Sequence, residues 1–189
     1  MPAPPAIARA RRRSRLGAPR PARLRDGTPV LLREQHPHDR ALLARLFAEL
    51  SGRSRHLRFM AGVPPALPSR MLDALSAVDG DAHAGILALR GEEPIGAARY
   101  VRWAHCPDEA DVAFTVADAY QRRGLAALMM GELLEHAAAA GIVRLTFEML
   151  GENRGAIALV RSLGATVRSS NGVAVATLAV APPAGRLAA

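Results

Sequence analysis

Residues 110–140 read ADVAFTVADAYQRRGLAALMMGELLEHAAAA, and the rest of the chain is read outward from them. The first seven alternate as a half-buried strand does: Val112, Phe114 and Val116 share one face, and Asp111, Ala113 and Thr115 the other. From Leu125 the apolar spacing becomes helical, with Leu125, Leu128, Met129, Leu133 and Ala137 on one stripe and Glu132 and Glu135 off it. Between them lies Gln121-Arg122-Arg123-Gly124-Leu125-Ala126. A glycine at a strand-to-helix junction lets backbone approach a ligand closely. The first N–H groups of the helix have no partner inside it and lie at the positive end of its dipole. An anion, most often a phosphate, satisfies them. The stretch therefore reads as a pyrophosphate cradle.

A length of 189 residues suits one domain with a tail. Half the residues are hydrophobic and 22% are charged, an ordinary balance for a globular protein. Glu132, Glu135 and His136 break the longest apolar stretch, so no membrane-spanning segment is expected. Cys106 is the one cysteine. No internal disulfide can form, which fits the cytoplasm. The net charge of +8 is concentrated in residues 1–25, which hold eight arginines and no acid, while residues 26–189 hold 17 basic and 17 acidic groups. Every basic residue is arginine, so the protein has no side-chain lysine of its own to acylate. Residues 1–25, rich in arginine, proline and alanine, are expected to be a disordered tail. An arm for nucleic acid or another acidic partner, or an organelle transit peptide, are the other readings of such a segment. No nucleic-acid role is expected of the neutral remainder. The folded domain is expected over 26–181, with a second short tail at 182–189.

Along that domain the pattern predicts strands at 28–33, 83–89, 95–103, 111–116, 143–149, 166–168 and 173–180. Helices are expected at 37–50, 51–60, 69–77, from 125, and at 153–163. Asp39 favours the start of the first, Ser69 is a candidate cap, and Gly141 and Gly164 close two others. Asn171-Gly172 reads as a tight hairpin turn. The order gives an α+β class, a mixed sheet flanked by helices. Residues 106–109 read as a turn, making Cys106 and Glu109 turn residues, and Tyr120 is expected to pack. His83 and His105 are too scattered to suggest a metal site.

The turn alone is weak evidence. It lacks the Gly-Lys-Ser/Thr end of a P-loop and the three-glycine spacing of a dinucleotide site. It is, however, followed by a second strand, by Asn153 opening a helix, and by Leu163-Gly164-Ala165. In this combination the sequence resembles the GNAT family of acetyl-CoA-dependent N-acetyltransferases, whose acyl-CoA loop has the pattern Q/R-x-x-G-x-G/A. Ser54-Arg55-His56-Leu57-Arg58-Phe59 and the run from Ala113 to Gln121 are similar to the GNAT domain of bacterial protein-lysine acetyltransferases. Some of those carry a cyclic-nucleotide-binding domain, for which this chain has no room.

The resemblance implies a central, mostly antiparallel sheet whose fourth and fifth strands, at 111–116 and 143–149, form a splayed parallel pair. It implies acetyl-CoA as acyl donor and an amine acceptor, first a protein lysine, with a small amine as the alternative. Non-catalytic binding of acyl-CoA, as a sensor, is a further possibility. Phe114, Thr115, Val116, Gln121, Arg122, Arg123, Gly124, Leu125, Ala126, Ala127 and Asn153 then become the cofactor-binding residues, with the Val116 N–H as donor to the developing oxyanion. A free lysine amine has a pKa of about 10.4, so a base must take its proton. Two carboxylates compete for that role. Asp111 stands where the similar lysine acetyltransferases have a glutamate. Glu148 has the spacing to Asn153 seen in GNAT enzymes acting on protein N-termini. The tyrosine that many members place seven residues after the asparagine is Val160 here, so no acid is assigned. No metal is implied, and a monomer or homodimer is expected.

Overall fold

The computed structural model describes residues 18–181. It begins with β1 (Arg20–Arg23) and β2 (Pro29–Glu34), then a 3-10 turn at Pro37–Asp39 and three helices, α1 (Arg40–Ala48), α2 (Gly52–Phe59) and α3 (Ser69–Ser76). Strands β3 (His83–Arg90), β4 (Glu93–Trp103) and β5 (Cys106–Val116) follow, then α4 (Leu125–Ala139), β6 (Arg144–Leu150), α5 (Arg154–Ser162), β7 (Thr166–Ser170) and β8 (Val173–Ala179). The eight strands form one sheet in the order β1-β2-β3-β4-β5-β6-β8-β7. Every neighbouring pair is antiparallel except β5 and β6, which run parallel. The expected class and the parallel pair are both present.

The sheet buries both faces. Leu87 and Leu89 of β3 pack with Leu43, Phe47, Leu72 and Leu75 of α1 and α3. Ile86 and Ala88, pointing the other way, join Leu125, Met129, Met130 and Leu133 of α4. Each such leucine or methionine taken from water contributes about 1.5–3 kcal/mol, so the central strands are rigid and carry the site by position. The helix starts are also local. The Asp39 carboxylate takes two hydrogen bonds from Arg33, both 2.7 Å, and one from the His36 N–H. Ser69 lies inside α3 and makes no cap; Pro68 precedes the helix instead. Gly141 and Gly164 have φ of +81° and +91°, as helix-ending glycines should, and Asn171-Gly172 (φ 49° and 78°) turns β7 into β8.

Three expectations change. The N-terminal segment is not a tail as far as residue 25: Arg20–Arg23 pairs with β2 across the sheet edge, and Leu24 is buried. Composition misled because edge pairing uses backbone groups and a single apolar anchor, neither of which shows as periodicity. Pro21, lacking an N–H, is tolerated at an edge. The extra strand moves the parallel pair from fourth and fifth place to β5 and β6. Finally, β5 begins at Cys106, so Cys106 and Glu109 are strand residues, and Glu109 pairs with Arg144 at 2.6 Å. The rest of the expected tail, residues 1–17, and the segment 182–189 lie outside the described residues.

Candidate active site

Strands β5 and β6 are in register for three residue pairs, ending at Asp111 opposite Thr146, and then part. On its other edge β5 stays paired with β4 as far as Val116 opposite Gly96. The hydrogen bond from the Ala117 N–H to the Ile95 carbonyl, 2.9 Å, sets the phase of that ladder. Alternation then turns the N–H groups of Phe114 and Val116 away from β4, toward the gap that β6 has left. The Val116 carbonyl points the same way and accepts from Gln121 Nε2 at 3.1 Å. The gap opens into a cleft of about 580 Å³, walled by β5, β6, α2, the start of α4 and α5.

The far end of β5 leads into the cradle. Arg122 and Gly124 both have positive φ, 58° and 91°, a conformation that gathers successive N–H groups on one side of the chain. Gly124 precedes α4 with no side-chain cap, and Leu128, bonding back to Gly124, makes the first helical bond. The N–H groups of Leu125, Ala126 and Ala127 therefore keep no intrahelical partner, and all three residues line the cleft with Gln121, Arg122 and Gly124. A diphosphate fits these donors, and Gln121, Arg122, Gly124, Leu125, Ala126 and Ala127 of the expected set line the cleft beside it.

Two arginines exchange expected roles. Arg123 does not reach the cleft. Its Nε donates to Asp26 at 2.5 Å, its terminal nitrogens to Thr28 Oγ1 at 2.6 Å and the Ala119 carbonyl at 3.2 Å, and its guanidinium lies 5.1 Å from the Tyr120 ring centroid. It ties the cradle loop to the N-terminal hairpin. Arg25, expected in the tail, lines the cleft. Its side chain lies so close over Gly124 that a Cβ there would come within 3.2 Å of it. Its own N–H donates to the Arg123 carbonyl at 3.0 Å. Only the burial of Leu24 could have hinted at it from sequence, and a lone leucine carries no such message.

Helix α2 forms the roof. Ser51 caps it by accepting from the Ser54 N–H at 3.1 Å. Asp118, from the loop after β5, accepts from the Ser51 N–H (2.9 Å) and from the Ser51 and Ser54 hydroxyls (2.8 Å each). Desolvation works to raise the Asp118 pKa, and these donors outweigh it and hold the carboxyl below its ordinary value. Gln121 Nε2 also reaches Ser54 Oγ at 3.1 Å. Ser54, Leu57 and Arg58, at one helical face, look into the cleft.

Register puts Asp111 and Glu148 on one face of the sheet, since Asp111 pairs with Thr146, two residues before Glu148. Both are exposed. Glu148 lines the cleft; Asp111 lies outside its wall. Asn153 lines it too, and its side chain caps α5 by accepting from the Ala156 N–H at 3.2 Å. Phe114, Thr115 and Val116 form the β5 wall. Val160 is fully buried in the core and offers no proton. Tyr120 packs as expected, buried, with its hydroxyl between Arg90 (3.1 Å) and Glu93 (3.2 Å).

Residues 49–165 match the model of the acetyltransferase (GNAT) family. Among curated proteins, the chain is 32% identical over 176 residues to acetyltransferase Pat of Mycolicibacterium smegmatis, which covers 90% of this chain and 52% of that protein. The chain spans between half and two thirds of the length of the curated relatives it matches. Among solved structures, the GNAT domain of S. lividans PAT superposes with a TM-score of 0.80 at 29% identity, covering 85% of this chain and 96% of that one. YncA, a putative acetyltransferase from Salmonella typhimurium solved with its cofactor acetyl-CoA, shares the fold at 17% identity, with a TM-score of 0.66 and coverage of 85% and 99%. With the parted strands and the helix-terminal cradle between them, these matches make the chain a member of the GNAT acetyltransferase family.

Proposed function

We propose that this acyltransferase moves the acetyl group of acetyl-CoA to a lysine amine of a protein acceptor, by direct attack with both substrates bound. The observation that carries the reading is the cleft itself: a diphosphate cradle at one end, outward N–H groups of β5 in the middle, and Glu148 in the wall beyond. Membership of the family gives the reaction class. The motif likeness in α2 and β5, together with the relation to acetyltransferase Pat, supports a protein acceptor.

In this reading the N–H groups of Leu125, Ala126 and Ala127, with Arg122 and Arg25, hold the donor's diphosphate by charge-assisted hydrogen bonds. The donor supplies a thioester carbonyl. The Val116 N–H, freed from the ladder by the splay, faces the carbonyl oxygen and stabilises the charge that grows on it. Glu148 takes the amine proton, directly or through one water; Asp111, on the same face of the neighbouring strand, is the competing base. The amine needs this help because its ordinary pKa, about 10.4, leaves it charged at neutral pH. Val160 replaces the tyrosine of many relatives, so the thiolate leaves unassisted; a thiol pKa near 8.5 makes that tolerable. Cys106, unable to form an internal disulfide, supports work in the reducing cytoplasm.

The test is a CoA-release assay with purified protein, acetyl-CoA and a panel of lysine peptides and small amines, with mass spectrometry of the products. Acetyl-lysine formed together with CoA supports the reading. Acetylation confined to small amines moves the acceptor class, and binding without release makes the chain a sensor. With no lysine in the chain, self-acylation is confined to the N-terminal amine, which mass spectrometry counts separately.

A further inference from the structure

Most partly buried arginines of the described fold have their acceptors. Arg33 is paired with Asp39, Arg102 with Asp81 and Arg123 with Asp26, and Arg55 donates to the carbonyls of Leu50 and Val63. The three arginines that line the cleft, Arg25, Arg58 and Arg122, are different. Among the described residues none of their guanidinium groups has a carboxylate within ion-pair distance or a hydrogen-bond acceptor. Arg25 and Arg122 flank the cradle, where a diphosphate accounts for them. Arg58 has no such account. It sits on α2, half-buried, with its guanidinium carbon over the Phe59 ring, 5.0 Å from the centroid.

A second arginine stands near it. Arg99 of β4 pairs with Ala113 of β5, a cleft-wall residue, and lies on the face that carries Asp111. Among the described residues its side chain makes one hydrogen bond, a long contact of 3.4 Å to the Ala74 carbonyl. Burial lowers the Arg58 pKa to about 10, and the charge of Arg99 adds to the effect; burial lowers that of Arg99 as well. Two partly buried cations without a carboxylate partner cost free energy that an anionic ligand recovers.

The register says which ligand. Ala113 precedes Val116 by three residues, about 10 Å at ~3.3 Å per residue, in the direction away from the cradle. Arg99 therefore stands on the acceptor side of the thioester position, between Val116 and Asp111, and the phosphates of CoA are held at the other end. We propose that Arg58, with Arg99 behind it, is an anion-recognition pair that selects acceptors carrying a carboxylate near the reacting amine. A planar guanidinium with five donors suits a carboxylate. The inference rests on the acyl-transfer reading of the cleft and names the acceptor's chemistry. The carboxylate belongs either to an acidic residue beside the target lysine or to a small amino acid.

Two matched pairs separate these sources: a lysine peptide flanked by glutamates against its glutamine twin, and 4-aminobutanoate against its amide. The wild-type protein is expected to prefer the carboxylate member of at least one pair by about tenfold or more in kcat/KM, roughly the worth of one hydrogen bond to a charged group. Arg58→Gln is expected to bring that ratio to within about twofold, and Arg58→Lys to keep part of it. Equal use of both members of both pairs by the wild type overturns the proposal, and this result needs no variant to fold. If no amine is acetylated, the acyl-transfer reading fails, and the anion site is judged by titrating glutarate into the CoA-loaded protein. Saturable binding weakened about tenfold or more by Arg58→Gln then supports it, and absence of binding overturns it.

Discussion

At the cradle end of the cleft the ligand-facing groups are mostly backbone: the N–H groups that α4 leaves unpaired after Gly124, gathered by the positive φ of Arg122 and Gly124. Toward the other end the wall presents side chains, Arg58 of α2 and Glu148 of β6, with Arg99 of β4 and Asp111 of β5 on the sheet face that carries Glu148. A backbone site needs little from sequence beyond a glycine at the right junction and tolerates change around it. A side-chain site depends on each residue type and on the register that brings the strands together. On the function proposed above, the first holds what every substrate cycle shares, and the second chooses the acceptor.

The sharpest way to break this division is at Glu148. Glu148→Gln is expected to lower kcat by about 10²–10⁴, the usual range for a general base, with acetyl-CoA affinity unaltered because the cradle lies elsewhere. Asp111→Asn is expected to cost less. The reverse order in steady-state kinetics would move the base from β6 to β5. At the other end, Gly124→Val forces a branched residue to φ +91°, a strain of about 1–3 kcal/mol. The expected result by calorimetry is an acetyl-CoA Kd raised about tenfold or more, with acceptor discrimination retained.

Acid should act on the fold through two buried histidines. Burial, helped by Arg99, pushes the His83 pKa down to about 4, and burial pushes His136 below 6.5 as well. His83 lies on β3 opposite Val101, on the face that carries Arg99 and Asp111. His136 on α4 meets the Tyr100 hydroxyl at 2.9 Å on the other face. The unfolded chain takes up these protons near pH 6.5 and the folded chain only at lower pH. Stability is therefore full above about 6.5, falls as pH falls toward 4, and levels below that. Urea midpoints should drop between pH 7.5 and 5, and by less in His83→Gln. The cradle, made of backbone N–H groups and arginines, has nothing to titrate over that range. The smallest effect is expected from Arg25→Gln: an acetyl-CoA Kd about threefold to tenfold weaker at low salt, with the difference shrinking as salt rises, since Arg25 is exposed.

The contrast also explains what was legible in the sequence. The alternation from Asp111 to Val116, the stripe from Leu125 and the glycine between them are local periodicities, and they gave the strand, the helix and the cradle. The splay of β5 from β6 followed from family resemblance, because no local pattern records where a parallel ladder stops. β1 was hidden because edge pairing spends backbone groups, not side-chain pattern. Arg123 and Arg25 could not be told apart by type. Arg123 is claimed by Asp26 and Thr28, 97 and 95 residues away in sequence, and Arg25 is left for the cleft. The Arg58–Arg99 pair was invisible for the same reason: in sequence each is one of 25 arginines, and only the fold removes their partners.

The central claim is that the gap between β5 and β6 transfers an acyl group as well as holding its donor. Release of CoA thiol from acetyl-CoA, followed continuously as an amine acceptor is added, tests it most directly. Acceptor-dependent CoA release is expected, one CoA per acetylated amine, falling about a hundredfold or more in Glu148→Gln. Saturable acetyl-CoA binding with no acceptor-dependent release for any amine of the panel would contradict it.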